Sequence, residues 1–167
     1  MHGTLRLLQL LSMVVWAGGL IFFAFVLAPT AFHTLPSLHL AGAIVGAALR
    51  LFNPIAMVAG AIFLLASAGL FRSAPMRIRG RYEMEFLLAG VMLLGTAYIH
   101  WNLLPRMDDD MRQAGGDIST AAPTNPAKIH FDKLHVRSER IEGVVLFLGL
   151  GVLFLMSREH GRLEHDH

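Results

Sequence analysis

A histidine and an asparagine stand close together near the end of the third apolar run, in the segment "AYIHWN", residues 97–102. An imidazole or an amide in hydrocarbon is costly without a partner, so His100 and Asn102 are expected to face other helices. A neutral imidazole at this place could ligate a haem, another metallated macrocycle or a metal ion. The alternative is an interfacial belt with Tyr98 and Trp101 at headgroup depth, and both interpretations stay open.

A second group of polar side chains falls on one helical stripe just before the fourth apolar run. A carboxylate that enters hydrocarbon needs a partner, which we expect to be Arg106 or His100 for Glu142. The stripe predicts a polar or proton path through Glu142, Arg106 and Ser138. It also allows a cofactor anchored by His135, while an amphipathic helix with snorkelling charges is the alternative. The members at spacing i, i+3, i+4 and i+7 are His135, Ser138, Glu139 and Glu142.

Three further histidines, His33, His39 and His130, flank apolar runs on the same predicted side of the membrane. Clustered imidazoles bind transition metals, but the spacing of these three matches no established metal motif. A shared metal site is therefore one hypothesis, and unconnected interfacial histidines are the other. The cofactor, if there is one, stays unidentified: a haem or another His-ligated macrocycle held by His100 or His135 is the hypothesis.

The chain lacks the common signatures of enzyme chemistry. There are no cysteines, which excludes disulfides, thiolate metal sites, iron–sulfur clusters and covalently attached c-type haem. No P-loop, no G-x-S-x-G and no H-E-x-x-H motif occurs. We therefore assign no catalytic residue and favour a function other than catalysis, with a membrane oxidoreductase as the least favoured alternative.

Composition and charge patterning place the chain in a lipid bilayer. Of its 167 residues 54% are hydrophobic and 16% are charged, and the mean hydropathy is +0.54. Long stretches lack every Asp, Glu, Lys and Arg, and a helix needs about 20 such residues to cross the hydrocarbon. The prediction is an all-α polytopic membrane helix bundle, a single integral domain over 1–167. Its transmembrane helices are expected at about 5–28, 54–71, 86–104 and 131–156.

The segments between these spans have their own signals. Residues 38–52 predict a short helix that either lies at the interface or joins the second span through a kink at Pro54, with Ser37 as N-cap. Gly, Pro and Thr mark an exposed loop at about 105–130, and 157–167 reads as a solvated tail.

The distribution of arginines predicts the orientation of the chain. Arg72, Arg77, Arg79 and Arg81 crowd one short connection, which should therefore face the cytoplasm. Both termini would then be cytoplasmic, in the inner membrane. This topology explains the basic composition, so nucleic acid is not an expected partner.

Three segments resemble a bacterial family of small four-span membrane proteins of unknown function, related to the eukaryotic transmembrane protein 205. The family's motif positions fall on Trp16, Ala28–Pro29, Pro105–Arg106 and Leu134–His135. The resemblance implies a four-helix integral membrane protein; the eukaryotic relative is linked to platinum-drug resistance and trafficking, and no catalytic residue carries over. The segments are "WAGGLIFFAFVLAPTAFHTLP" (16–36), "LLPRM" (103–107) and "FDKLHVRSERIEGVVLFLGLGVL" (131–153).

Two functions from different classes follow from these observations. The first is a small accessory or binding subunit that packs with other membrane components and holds a ligand through a histidine. Gly42 and Gly46, at G-x-x-x-G spacing, favour close helix packing of that kind. The second is a transporter or channel-like protein for a metal ion or a small solute, with the polar path as its route.

Overall fold

Four long helices form the molecule in a computed structural model, which describes the backbone of residues 2–163 and the side chains of 3–157. Each is long and apolar enough to cross a membrane, and no strand occurs in the described backbone. Helices adjacent in sequence contact each other, and the fourth also contacts the first. The predicted polytopic all-α bundle is confirmed. The helices are α1 (Gly3–Thr34), α2 (Leu38–Ser73), α3 (Met76–Gln113) and α4 (Pro126–Leu163).

The two ends of the bundle carry different charges. Residues 74–75 turn the chain from α2 into α3, and the four arginines at 72, 77, 79 and 81 flank that turn. We call this the arginine end. At the opposite end, residues 114–125 connect α3 to α4 directly after a run of aspartates, Asp108, Asp109 and Asp110. We call this the aspartate end.

The segment 38–52 is part of the second span and not a separate interfacial helix. α2 runs without a break to Ser73, with Pro54 inside it. Ser37 caps its start as predicted, since its hydroxyl accepts a hydrogen bond from the Leu40 amide at 3.2 Å. Proline is tolerated within a span because neighbouring helices shield the carbonyl that loses its partner.

The loop predicted over 105–130 is shorter than expected, because α3 continues past Pro105. A π-helical turn, Ile99–Leu103, precedes this proline, and Pro105 falls in the first turn of the α-helical stretch Leu104–Gln113 that follows. The π-helical turn already departs from the α-helical hydrogen-bond ladder, so the proline is accommodated here without ending the helix. The sequence pattern therefore predicted that α3 ends before Pro105, whereas the helix continues to Gln113.

The connection between α3 and α4 is delimited by specific backbone and side-chain bonds. Gly115 and Gly116 have φ angles of 90° and 96°, a left-handed conformation that ends α3 and that favours glycine. The Gly116 amide donates to the Met111 carbonyl at 2.9 Å. Asn125 then starts α4, since its side-chain oxygen accepts from the Ala127 amide at 2.9 Å.

The other helices also extend beyond the predicted spans. α3 begins at Met76 rather than near 86, and α4 begins at Pro126 and continues to Leu163, through most of the predicted tail. Apolar runs mark only the part of a helix that lies in hydrocarbon, whereas backbone hydrogen bonding continues into charged sequence beyond it. Residues 164–167 lie outside the described part of the chain.

The centre of the core depends on a close approach of α1 and α2. Trp16, Phe63 and Met92 are fully buried there. A Cβ atom added to Gly60 would lie 2.4 Å from the indole ring of Trp16 and 3.2 Å from Leu93 of α3. The absent side chain at Gly60 therefore makes room for the largest side chain of the core.

Gly60→Ala should destabilise the bundle by about 1–3 kcal/mol, because Trp16 has no free space into which it can move. The matched control is Gly42→Ala in the same helix, where nothing lies within 4 Å of the added atom. Alanine there should be neutral or stabilising by up to about 1 kcal/mol. Unfolding in mixed detergent measures both; equal stabilities for the two variants would contradict this packing.

Candidate functional site

Two of the helices depart from α-helical geometry where they carry polar aromatic side chains. In α1 the π-helical turn Val14–Gly18 contains Trp16, and a second turn follows at Phe23–Leu27. In α3 the turn Ile99–Leu103 contains both His100 and Asn102. π-helical turns are rare and occur often at functional sites, because the extra residue interrupts the regular hydrogen-bond ladder. The histidine selected from sequence therefore lies on an irregular element.

Four buried side-chain atoms near these turns have no hydrogen-bond partner in the described part of the chain. Leaving such an atom unpaired costs about 1–3 kcal/mol, and more in hydrocarbon than in a wet protein. Native proteins leave few of them, so each suggests ordered water or a small ligand. The atoms are Trp16 Nε1, Asn53 Nδ2, His100 Nδ1 and Asn102 Oδ1.

The helix register brings Asn53 close to the turn in α3. Gly60 of α2 lies against Leu93 of α3, and the two helices run in opposite directions. Asn53, two turns from Gly60 towards the aspartate end and only 3% exposed, is therefore level with the Ile99–Leu103 turn. Leu103 packs in a buried apolar cluster that also includes residues of α2 and α4.

The segment around His100 combines an interfacial belt with a buried atom. The Trp101 side chain is 69% exposed, as expected of an indole facing lipid or headgroups, and it meets the His100 ring edge-on at 5.9 Å. His100 is half-buried, with its Nδ1 atom enclosed. The exposed indole agrees with the interfacial belt, and the ligand interpretation of His100 stays a prediction.

The polar stripe on α4 forms two pairs with the expected helical spacing. The Ser138 hydroxyl is buried and donates to Glu142 Oε1 at 3.0 Å. His135 is exposed, and its Nε2 lies 3.3 Å from Glu139 Oε1. Phe131 was expected on a different, apolar face of this helix. Its ring instead stacks on the His135 ring with the two centres 6.0 Å apart, because residues four apart share a helix face.

The expected partner of Glu142 was wrong. Ser138 from the same helix bonds the carboxylate, whereas no hydrogen bond or ion pair joins it to Arg106 or His100 among the described side chains. Arg106 lines a groove at the aspartate end instead. The three residues of the predicted path therefore do not form one connected chain of polar contacts.

The three histidines considered for a metal site are not brought together. His39 Nδ1 lies 3.5 Å from Asp117, His130 Nδ1 lies 2.7 Å from Asp110, and His33 is exposed near the end of α1. Within the described residues no group of three or more His, Asp or Glu side chains is placed to hold a metal ion. Carboxylates pair separately with two of these imidazoles, so the three histidines do not form a shared site in the described part of the chain.

The aspartate run joins the last turns of α3 to both neighbouring helices, α2 and α4. Arg50 of α2 donates through one nitrogen to both carboxylate oxygens of Asp108, at 2.8 Å each. The buried Asp110 pairs with His130 of α4, while Asp109 pairs locally with Arg112. The single arginine in the apolar stretch of α2 was the one signal in the sequence for this tertiary role.

The connecting loop has its own charged anchor. The Ser119 hydroxyl donates to Asp117 at 2.6 Å and holds the pKa of that carboxyl below its usual value, and His39 adds a weaker electrostatic effect. A lowered carboxyl pKa means that this stabilisation is complete above the usual pKa and is lost as the pH falls through the lowered one. The loop is therefore held in place throughout the neutral range.

Sequence reasoning missed a buried carboxylate near the arginine end. Glu85 of α3 is 0% exposed and forms an ion pair with Arg81 Nε at 3.0 Å. In the same half of the bundle, Gln9 of α1 donates to the Ser67 hydroxyl at 2.8 Å. The i, i+4 spacing of Arg81 and Glu85 could have revealed the pair, but its burial depends on how α3 packs.

Asp110→Ala should destabilise the aspartate end by about 1–2 kcal/mol, because it removes a buried carboxylate bonded to His130. Asp109→Ala is the matched control: its exposed pair with Arg112 should contribute less than about 0.5 kcal/mol. Limited proteolysis in the connection 114–125 reads out the difference. Equal cleavage rates in both variants would show that the pair with His130 does not tie α3 to α4.

Comparison with known proteins gives a family but no functional assignment. No curated protein and no solved structure matches the chain. The sequence pattern of a domain of unknown function, DUF4149, matches residues 11–115, which cover most of α1 and all of α2 and α3. Because this match covers more than half of the sequence, the chain belongs to the DUF4149 family.

Proposed function

We propose that the protein is a small accessory or binding component of the membrane that holds a small hydrogen-bonding ligand beside His100. The observation that carries this proposal is the set of buried, unpartnered polar atoms around the Ile99–Leu103 turn. In hydrocarbon such atoms persist when something else satisfies them. His100 Nδ1 and Asn102 Oδ1 offer an imidazole nitrogen and an acceptor from one turn, and Asn53 Nδ2 offers a donor from α2.

The residues fit a macrocycle less well than a small ligand. His135 is exposed, stacked on Phe131 and paired with Glu139, so it does not face a pocket in the bundle. The cavity at the arginine end and the groove at the aspartate end are both lined by residues other than His100 and His135. We therefore favour a ligand of a few atoms over haem.

The accessory part of the proposal is supported by a helix face that the chain itself leaves uncovered. At Gly42 a Cβ atom would meet nothing within 4 Å, and at Gly46 it would meet only the Arg50 side chain of the same helix, at 3.5 Å. Small residues at this spacing let another helix approach closely within a bilayer. A further membrane subunit is the partner that this face suits.

The location and wider kinship of the protein belong to the same proposal. The density of arginines around the 74–75 turn supports a cytoplasmic arginine end, which would place both termini in the cytoplasm of a bacterial inner membrane. The segments quoted above support a relation to transmembrane protein 205.

A ligand beside His100 should co-purify with the protein. Extracts of denatured wild type, His100→Ala and His135→Ala, all purified in mild detergent, are compared by mass spectrometry. We expect a stoichiometric small molecule with wild type and with the exposed-histidine control His135→Ala, and its loss in His100→Ala. Identical extracts from all three would contradict the site, and a Soret band lost only in His100→Ala would show that the ligand is a macrocycle.

A second function, transport of an ion or small solute, is favoured by the buried Ser138–Glu142 pair. A carboxylate bonded within a span is costly and typically serves proton or cation movement. Buried polar groups also occupy the other half of the bundle, where Glu85 and Ser67 lie, with apolar side chains between the two halves. Such a barrier is typical of a gated path.

Transport through this path would depend on the charge of Glu142. Glu142→Gln should abolish proton or cation uptake into proteoliposomes, because the hydrogen bond survives but the charge does not. Glu139→Gln is the matched control, since Glu139 is exposed on the same helix. Uptake that is unchanged in Glu142→Gln would exclude this route.

A further inference from the structure

We infer that the cavity at the arginine end binds the phosphate of an anionic membrane lipid. This site lies at the opposite end of the bundle from the His100 turn and does not depend on the function proposed there. The shared chemistry is a phosphate ester, and the position of the cavity selects a lipid as its source.

The cavity is built where three helices converge. It has a volume of about 210 Å³ and opens between the first turns of α1, the end of α2 and the start of α3. The two-residue turn at 74–75 fixes α2 and α3 close together, so the cavity is formed by the fold itself. Its lining consists of Arg6, Leu70, Ser73, Ala74, Pro75, Ile78 and Tyr82.

The lining combines polar and apolar side chains, which an anionic lipid requires for its headgroup and its acyl chains. Arg6 supplies a guanidinium, and the phenol of Tyr82 and the hydroxyl of Ser73 add polar groups. Guanidinium groups bind phosphate oxygens through parallel N–H donors. The remaining wall is apolar and includes Leu70 and Ile78, which suits glycerol and the first acyl carbons but not a fully hydrated ion.

The surroundings of the cavity are positively charged and held in place. The Arg79 Nε donates to the Ala74 carbonyl at 3.2 Å, and its guanidinium lies 5.4 Å from the Phe71 ring centre. Arg81 lies 4.7 Å from the Tyr82 ring centre and is paired with Glu85. Arginines at this end outnumber the glutamates, which leaves a positive field that attracts anionic lipid. On α1, the end of α2 and the start of α3 they are Arg6, Arg72, Arg77, Arg79 and Arg81, against Glu83 and Glu85.

The depth of the cavity favours a lipid over a dissolved phosphate. The turn at 74–75 marks where the chain leaves one span and enters the next, so the cavity lies level with the headgroups. Basic pockets between transmembrane helices bind lipid headgroups in this position. A dissolved anion would reach the cavity as well, but it would leave the apolar wall without a partner.

The test uses the full chain in nanodiscs that contain phosphatidylcholine with or without phosphatidylglycerol. Native mass spectrometry then counts the lipids that stay bound when the protein is released from the nanodisc. We expect selective retention of phosphatidylglycerol, reduced about fivefold in Arg6→Gln, the effect of one interfacial cation of about 1 kcal/mol. Arg77→Gln removes the same charge from an exposed arginine that does not line the cavity. Equal losses in both variants would show general attraction and overturn the site.

A second variant keeps every charge and fills the cavity. Ser73→Phe should lower phosphatidylglycerol retention to the level of Arg6→Gln while the melting temperature stays within the range of the Arg77→Gln control. Retention as in wild type would overturn the proposal even if Arg6→Gln fails to fold. Retention that survives excess inorganic phosphate supports a lipid, whereas full displacement by phosphate would assign the cavity to a dissolved anion.

Discussion

Hydrocarbon offers no hydrogen bonds, and most of this structure follows from that constraint. Each span satisfies its backbone groups along its own axis, which makes helices the available solution for this chain. Because of the same constraint, departures from regular helical hydrogen bonding are informative. The π-helical turns Val14–Gly18 and Ile99–Leu103 interrupt the ladder, and they carry Trp16 Nε1, His100 Nδ1 and Asn102 Oδ1, which lack hydrogen-bond partners among the described residues. Irregular backbone and unpaired polar side chains therefore coincide.

Charge is handled differently at the two ends of the bundle. At the aspartate end, carboxylates in the last turns of α3 reach Arg50 of α2 and His130 of α4, so these contacts cross-link separate helices. At the arginine end, Glu85 is buried against Arg81 of its own helix, and Arg6 lines a cavity. The helices at the aspartate end are thereby held to one another, whereas the arginine end retains an excess of positive charge that attracts anionic groups from outside the bundle.

The candidate site was predictable from sequence where its geometry is local. Ser138 and Glu142 are four apart on one helix, and that spacing alone brings a hydroxyl to a carboxylate. The metal hypothesis for His33, His39 and His130 failed because those residues lie on different elements. Their separation depends on helix register, and in the structure aspartates bind two of them individually. Periodicity contains no information about that register.

The sequence by itself determined the four spans, the Ser37 cap and the pairs within α4, since these depend on apolar length and on neighbours within one turn. Only the tertiary structure decided that Arg50 meets Asp108, 58 residues away, and that Asp110 meets His130, 20 residues away. It also decided that Gly60 accommodates Trp16. These contacts require helices to be packed at a particular register, and that register results from side-chain shapes acting together across the bundle.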